Sequence, residues 1–419
     1  MNDLTRLLPV VAVVIAILLL AARRNLPARE RPWWLWAVLD RAAVAALSGG
    51  LLAWAAPDWV AVPLRELLHP TLLFLAGWVG LEIGCGLDLR VLRRAAFIPF
   101  LNQAIAALVA IAAVFAAAYA AARLVPGVPS PMPAALLVLA GVCIAGPALP
   151  GGGASLTRGA SRSGFWNPSA SAALAALLAA AGSALAPWPV LETLIPVWDV
   201  ELVLEVESLL GRLLWAVGVG CVAGLIADLV TKDDFSPIGL LPPLAAVVLI
   251  ATGIAGAVGL ETLLVAAVAG FWLINATLRR LDILHVLERG AAMPRLLVPF
   301  LAGWIVGGSA TVVGVDSGVF GLTLALVLLL RPAARILVRR LVQLGLGAAR
   351  RRSDPVTAAL FQIDELGILL AALLTRLLEP AAGIGALAAV LVAMWCLGVA
   401  ARAWEQREAG RGREAPASA

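Results

Sequence analysis

Apolar residues along this chain come in runs of about twenty, separated by short polar breaks that are rich in arginine. A helical run of that length, rising about 1.5 Å per residue, crosses a hydrocarbon layer about 30 Å thick. Helices also satisfy their own backbone hydrogen bonds there, which open strands do not. The pattern predicts thirteen spans, at 7–22, 38–56, 70–90, 96–122, 133–150, 168–188, 209–230, 238–257, 260–278, 296–313, 317–338, 355–378 and 381–403. The fold class expected is therefore an all-α polytopic membrane protein, a single transmembrane domain over 1–404. The polar tail 405–419 is expected to be disordered and cytoplasmic.

Charge orients these spans. With the N-terminus outside, only Arg6, Arg65, Arg123, Arg212 and Arg376 of the 31 basic residues fall on the outer side. Cytoplasmic loops carry the basic excess, so the prediction is N-out, C-in. Arg23, Arg24, Arg29 and Arg31 follow the first apolar run rather than precede it, and that run is read as a retained span. The net charge of +5 sits in membrane-flanking loops and implies no nucleic-acid partner; the partner expected is the lipid bilayer. Composition agrees: 14% of residues are charged, against about 25% in soluble domains.

Cys85, Cys143, Cys221 and Cys396 all lie in apolar runs without CxxC spacing, so no disulfide framework, zinc site or cofactor is implied. His69 and His285 are read as loop residues without a role. No nucleophile–base pair points to an enzyme.

Against this background Glu365 stands out. Ser353-Asp354-Pro355 marks a helix start, with cap residues ahead of a first-turn proline. Ten residues on, Glu365 lies about 15 Å deep, near the midplane. An ionisable group there costs about 2.5–3.5 kcal/mol on insertion scales, which makes it a candidate for an ion or proton path. Gln362 shares its face, while Asp364 points elsewhere.

Other spans carry candidates with two readings. Gly146, Pro147 and Pro150, ahead of Gly151-Gly152-Gly153, interrupt the ladder of span five. They form either a broken helix lining a cavity or a plain helix end. Glu82, among Gly80, Gly84 and Gly86, makes a structural hydrogen bond or belongs to the path. Arg331 either snorkels inward or is an internal cation paired with Glu365 or Glu82. Asp88 and Arg90 are expected at the inner interface, and Asn102, Gln103 and Asn275 as interhelical glue. The acids Glu192, Asp199, Glu201, Glu205 and Glu207 form a solvated outer face or a cation-gathering mouth.

In these residues the chain resembles the membrane domain of monovalent cation:proton antiporters, the Kef-type potassium/proton branch in particular. The stretches concerned are Gly80-Leu81-Glu82 with Asp88-Leu89-Arg90, Ala269-Gly270-Phe271, Pro299-Phe300-Leu301-Ala302-Gly303, Arg331, and Gln362-Ile363-Asp364-Glu365-Leu366. The resemblance covers roughly residues 70 to 400. It implies two inverted five-helix repeats, about 38–188 and 260–403, with crossed broken helices in spans five and twelve. It also implies a homodimer, a mobile core moving against a scaffold, and a bacterial inner (plasma) membrane.

The function implied is exchange of K⁺ or Na⁺ for protons by alternating access. Glu365 would be the exchanging acid, Asp364 a second ligand, Gln362 and the span-five carbonyls neutral ligands, and Arg331 the counter-charge. One departure stands against this. Span six reads Asn167-Pro168-Ser169-Ala170-Ser171, without the family's ion-binding aspartate. The alternative is a degenerate, non-transporting antiporter fold acting as a sensor or assembly partner.

Overall fold

The computed structural model describes residues 41–56, 58–90, 97–124, 133–145, 209–232, 239–310, 312–345 and 365–414. Spans one and six of the sequence reading, the acidic outer loop and most of the span-five break lie outside these residues. The described elements are all helical. They are α1 (Arg41–Ala55), α2 (Asp58–Cys85), α3 (Phe97–Leu124), α4 (Pro133–Ile144), α5 (Leu209–Thr231) and α6 (Leu241–Ala257). They continue with α7 (Thr262–Ala276), α8 (Arg280–Gly290), α9 (Ala292–Ala310), α10 (Ser317–Gly345), α11 (Glu365–Leu377) and α12 (Pro380–Glu414). Six described helical stretches, from Leu67–Cys85 to Pro380–Ala401, are long and apolar enough to cross a membrane.

Packing sorts the helices into two layers. One contains α1, α2, α5, α6, α7, α8 and α9, with α1 against α9 and α2 against α7 as its closest pairs. The other contains α3, α4, α10, α11 and α12, with α10 on α3 and α11 on α4. The layers meet where α9 touches α11 and α12, and where α2 touches α11. Small residues make the close pairs possible. A Cβ at Gly84 would meet the backbone of Ala267 and Phe271 on α7, and one at Gly303 would meet the backbone of Ala46 on α1. Where lipid removes the usual hydrophobic drive between helices, such backbone approach supplies the packing energy.

Three expectations are corrected. Residues 280–290, read as an inner loop, form α8, because Ile283, Val286 and Leu287 share one face and bury it against Leu240, Leu244 and Val247. His285 therefore sits on a helix, exposed, and His69 lies within α2 and has an interaction partner. Helix α12 runs to Glu414, ten residues into the stretch expected as a tail. Extending an existing helix through Glu405, Gln406, Arg407 and Glu408 needs no new nucleus, and these are good helix formers.

Candidate functional site

The end of α4 is where sequence and packing converge. Its last described helical bond runs from the Ala145 amide to the Gly141 carbonyl at 2.8 Å. Beyond it, Gly146 weakens the helix and Pro147 has no N–H to offer the Cys143 carbonyl. The helix therefore ends with carbonyls that lack intrahelical donors. It does so inside the protein, since Val142, Cys143 and Ala145 are fully buried.

Helix α10 supplies the missing donors. Arg331 donates through Nη1 to the Val142 carbonyl and through Nη2 to the Ala145 carbonyl at 3.1 Å. Arg335, one turn further along, donates through Nη2 to the same Ala145 oxygen. Residues four apart lie on one helix face, so both guanidinium groups reach the same helix end. The negative end of the α4 dipole favours cations there. Arg331 is 0% exposed and Arg335 5%.

Snorkelling is thereby corrected for Arg331. Its guanidinium is enclosed by protein because α4 offers it acceptors, and a buried charge is retained where hydrogen bonds satisfy it. Of the span-five carbonyls, those of Val142 and Ala145 accept hydrogen bonds from arginine. Arg331→Gln would leave the Val142 carbonyl without that donor. Hydrogen bonds to charged groups contribute about 1.5–3 kcal/mol, so a lower thermal unfolding midpoint of the detergent-purified chain is the expected result.

The described part of α11 opens at Glu365, and its buried face (Leu366, Ile368, Leu369, Leu370) packs in one cluster with Val142 and Ala145. The acid predicted at the centre of the path is thus next in sequence to a residue that shares a core with the α4 end. The structure describes the backbone of Glu365 and not its side chain. Asp364, Gln362, Gly146, Pro147 and Pro150 lie outside the described residues, as do the side chains of Asn102 and Gln103.

Glu82 belongs to the other layer. It is 0% exposed and accepts a 2.8 Å hydrogen bond from Trp78 Nε1, one turn earlier on α2. The Trp78 ring in turn fits against Gly290 at the end of α8. The structural hydrogen bond expected for Glu82 is present.

Asp88 was expected as a lightly held interface charge and is instead 6% exposed. Its Oδ2 accepts from Arg280 Nη1 at 2.6 Å, and its Oδ1 from the Arg90 amide at 2.9 Å. Asn275 joins the same knot as the predicted glue. Its Oδ1 accepts from the Leu89 amide at 2.8 Å, and its Nδ2 donates to the carbonyls of Leu87 (3.3 Å) and Phe271 (2.7 Å). Together they tie the ends of α2 and α7 to the start of α8. Asp88→Ala removes the buried half of an ion pair whose Arg280 is 29% exposed, and hydrogen bonds to a charged group contribute about 1.5–3 kcal/mol. A clear loss of folded yield in detergent is the expected outcome. Among the described residues no group of three His, Cys, Asp or Glu side chains is placed to hold a metal ion.

Neither a family model nor a curated protein sequence matches the chain. Among solved structures it is similar to the sodium proton antiporter MjNhaP1 from Methanocaldococcus jannaschii. The two are 13% identical, the match covers 97% of each chain, and the TM-score is 0.56. With its long apolar helices, the chain is an integral membrane protein that carries, over almost its whole length, the fold of a sodium proton antiporter.

Proposed function

We propose that this protein is a secondary active transporter exchanging a monovalent cation, K⁺ or Na⁺, for protons by alternating access. The observation that carries the reading is the antiporter fold spanning both layers of the molecule. A carboxylate stranded at membrane depth gives that fold a group able to hold either a proton or a metal ion. Glu365 is the exchanging acid, with Asp364 and Gln362 as further ligands and Arg331 as the fixed counter-charge. Glu82 serves the scaffold through Trp78.

Thirteen spans, N-out and C-in, belong to the same proposal, as do the homodimer and the bacterial inner membrane. The inverted repeats have support in the helix pairing. If α1 corresponds to α7 and α2 to α9, the α2–α7 pair maps onto the α9–α1 pair. The α3–α10 and α4–α11 pairs map onto themselves. A two-fold relation between the halves produces this pattern. The layer holding α3, α4, α10, α11 and α12 would be the moving core, and the Kef-type likeness of the motifs favours potassium. The reading assigns the protein no enzymatic turnover.

Span six, which lacks an acid at Asn167-Pro168-Ser169, favours the alternative of a non-transporting sensor or assembly partner. Expression in cells stripped of their own cation/proton antiporters separates the two. Restored growth in high salt at alkaline pH supports exchange. Unchanged growth with the protein present in the membrane supports the alternative.

A further inference from the structure

Helix α8 runs back along α2 instead of projecting away from it. Arg280, at its start, meets Asp88 just past the end of α2. Gly290, at its end, lies against the ring of Trp78, well inside the membrane-length stretch Leu67–Cys85. Through Ala291, itself in helical conformation, α8 joins α9. Together they make Arg280–Ala310, another stretch long and apolar enough to cross a membrane. The inward face of α8 is fixed, because Ile283 and Leu287 are fully buried against Leu240 and Leu244.

The opposite face is apolar at both ends and basic between. Leu281, His285, Arg289 and Met293 follow one another four residues apart and are all exposed, and Leu296 continues the line on α9. Leu278, just ahead of α8, is 94% exposed. Lipid tails are as apolar as leucine, so these residues suit a surface at membrane depth. Arg289 does not. Its guanidinium keeps its charge at every physiological pH, and a charge beside hydrocarbon is costly unless its long stem carries it to polar partners. The ion pairs described at this end of the helices engage Arg279, Arg280 and Lys232. Glu288, adjacent to Arg289 on the helix, points to a different side. On the lipid side the polar atoms at hand are phosphate oxygens, which the guanidinium fork matches bidentately. His285, one turn away, adds a ring N–H.

Charge then selects among lipids. Between 279 and 295 four arginines stand against Asp282 and Glu288, and a positive excess remains when Asp88 is counted with them. Ion pairing within the group does not alter that excess. Such a segment favours an anionic headgroup over a zwitterionic one.

We propose that the outward face of α8 is a binding site for an anionic phospholipid, with the phosphate held by Arg289 and His285 and the acyl chains lying along Met293 and Leu296. The site does not depend on ion exchange. It does bear on the scaffold, because Gly290, next to Arg289, touches the Trp78 ring that donates to Glu82. A lipid seated there braces the layer built on α2 and α7.

The test is thermal unfolding of the delipidated, detergent-purified chain, titrated with phosphatidylglycerol, phosphatidylcholine or inorganic phosphate. Phosphatidylglycerol is expected to raise the midpoint saturably, with half-saturation about tenfold below that of phosphatidylcholine. Inorganic phosphate, without acyl chains, is expected to leave the midpoint unchanged. Arg289→Gln is expected to raise half-saturation by phosphatidylglycerol about tenfold, as the loss of a hydrogen bond to a charged group requires. Arg340→Gln removes an exposed arginine from α10 instead and is expected to change it less than about twofold. No midpoint rise with phosphatidylglycerol overturns the inference, as does an Arg289→Gln titration equal to wild type. Equal effects of the two lipids overturn it in favour of general solvation, and an equal effect of inorganic phosphate in favour of a free-anion site. A loss in Arg340→Gln matching that in Arg289→Gln reduces it to bulk charge. Native mass spectrometry of the wild-type chain makes the comparison without a variant: phosphatidylglycerol adducts are expected to outlast those of phosphatidylcholine, and equal loss of both contradicts the site.

Discussion

Glu365→Gln is expected to reduce cation-dependent proton flux in proteoliposomes to the leak seen in protein-free vesicles. The carboxamide has nearly the volume of the carboxylic acid, so α11 still packs through Leu366, Ile368 and Leu369. What it lacks is a proton that can leave and a charge that can bind a metal ion. An exchanger alternates between those two states, and an amide offers neither. The unfolding midpoint is expected to stay level or rise, since a neutral group at membrane depth costs less to insert than a charged one. Flux persisting at wild-type level would take Glu365 out of the mechanism.

The second large effect falls on the scaffold. Gly84→Leu is expected to prevent stable assembly of the layer built on α2 and α7. A Cβ at Gly84 already runs into the Ala267 carbonyl and lies 2.6 Å from the Phe271 amide, both backbone atoms. Neither is able to turn aside as a side-chain tip would, so the two helices must separate, and the hydrogen bond from Cys85 Sγ to the Gly270 carbonyl is lost with them. Overpacking costs about 1–3 kcal/mol when a core adapts, and this site lacks the means. Loss of the monodisperse peak in size-exclusion chromatography is the expected readout. Gly303→Leu makes the same demand on α1 and α9, where the added Cβ lies 2.9 Å from the Ala46 Cα. Gly218→Ala and Gly398→Ala are the controls, because among the described residues nothing lies within 4 Å of either Cβ. They are expected to be neutral or slightly stabilising.

How far the sequence foretold this molecule depends on how far apart its causes lie along the chain. The six described membrane-length helices were legible because bilayer thickness imposes a run length that a local window can see. The end of α4 at Ile144 was legible because Gly146 and Pro147 follow it closely in the sequence. Helix α8 was hidden. Its Ile283, Val286 and Leu287 face is short, and the surrounding Arg280, Asp282, Glu288 and Arg289 give it the look of a charged loop.

The partners of the charges were hidden for a different reason. Asp88 meets Arg280 across 192 residues of sequence, and Arg335 meets Ala145 across 190. Counting basic residues by side of the membrane treats Arg331 and Arg335 like any inner-loop arginine. The positive-inside pattern holds whether a guanidinium faces headgroups or a helix end, so it does not distinguish them. A better signal was available: arginines four apart beside Pro332 present two like charges on one face, and a face with that cost needs acceptors. For Glu82, left with two readings, the deciding signal was Trp78, one turn before it on the same face.

The most direct measurement is proton movement by the wild-type chain alone. Proteoliposomes carrying an imposed acid-inside gradient and an internal pH dye receive Na⁺, K⁺ or Li⁺ in turn. Exchange predicts that at least one of these cations collapses the gradient in a saturable way, and that choline at equal ionic strength does not. A gradient that survives all three cations, with the protein folded and inserted in both orientations, would contradict the account.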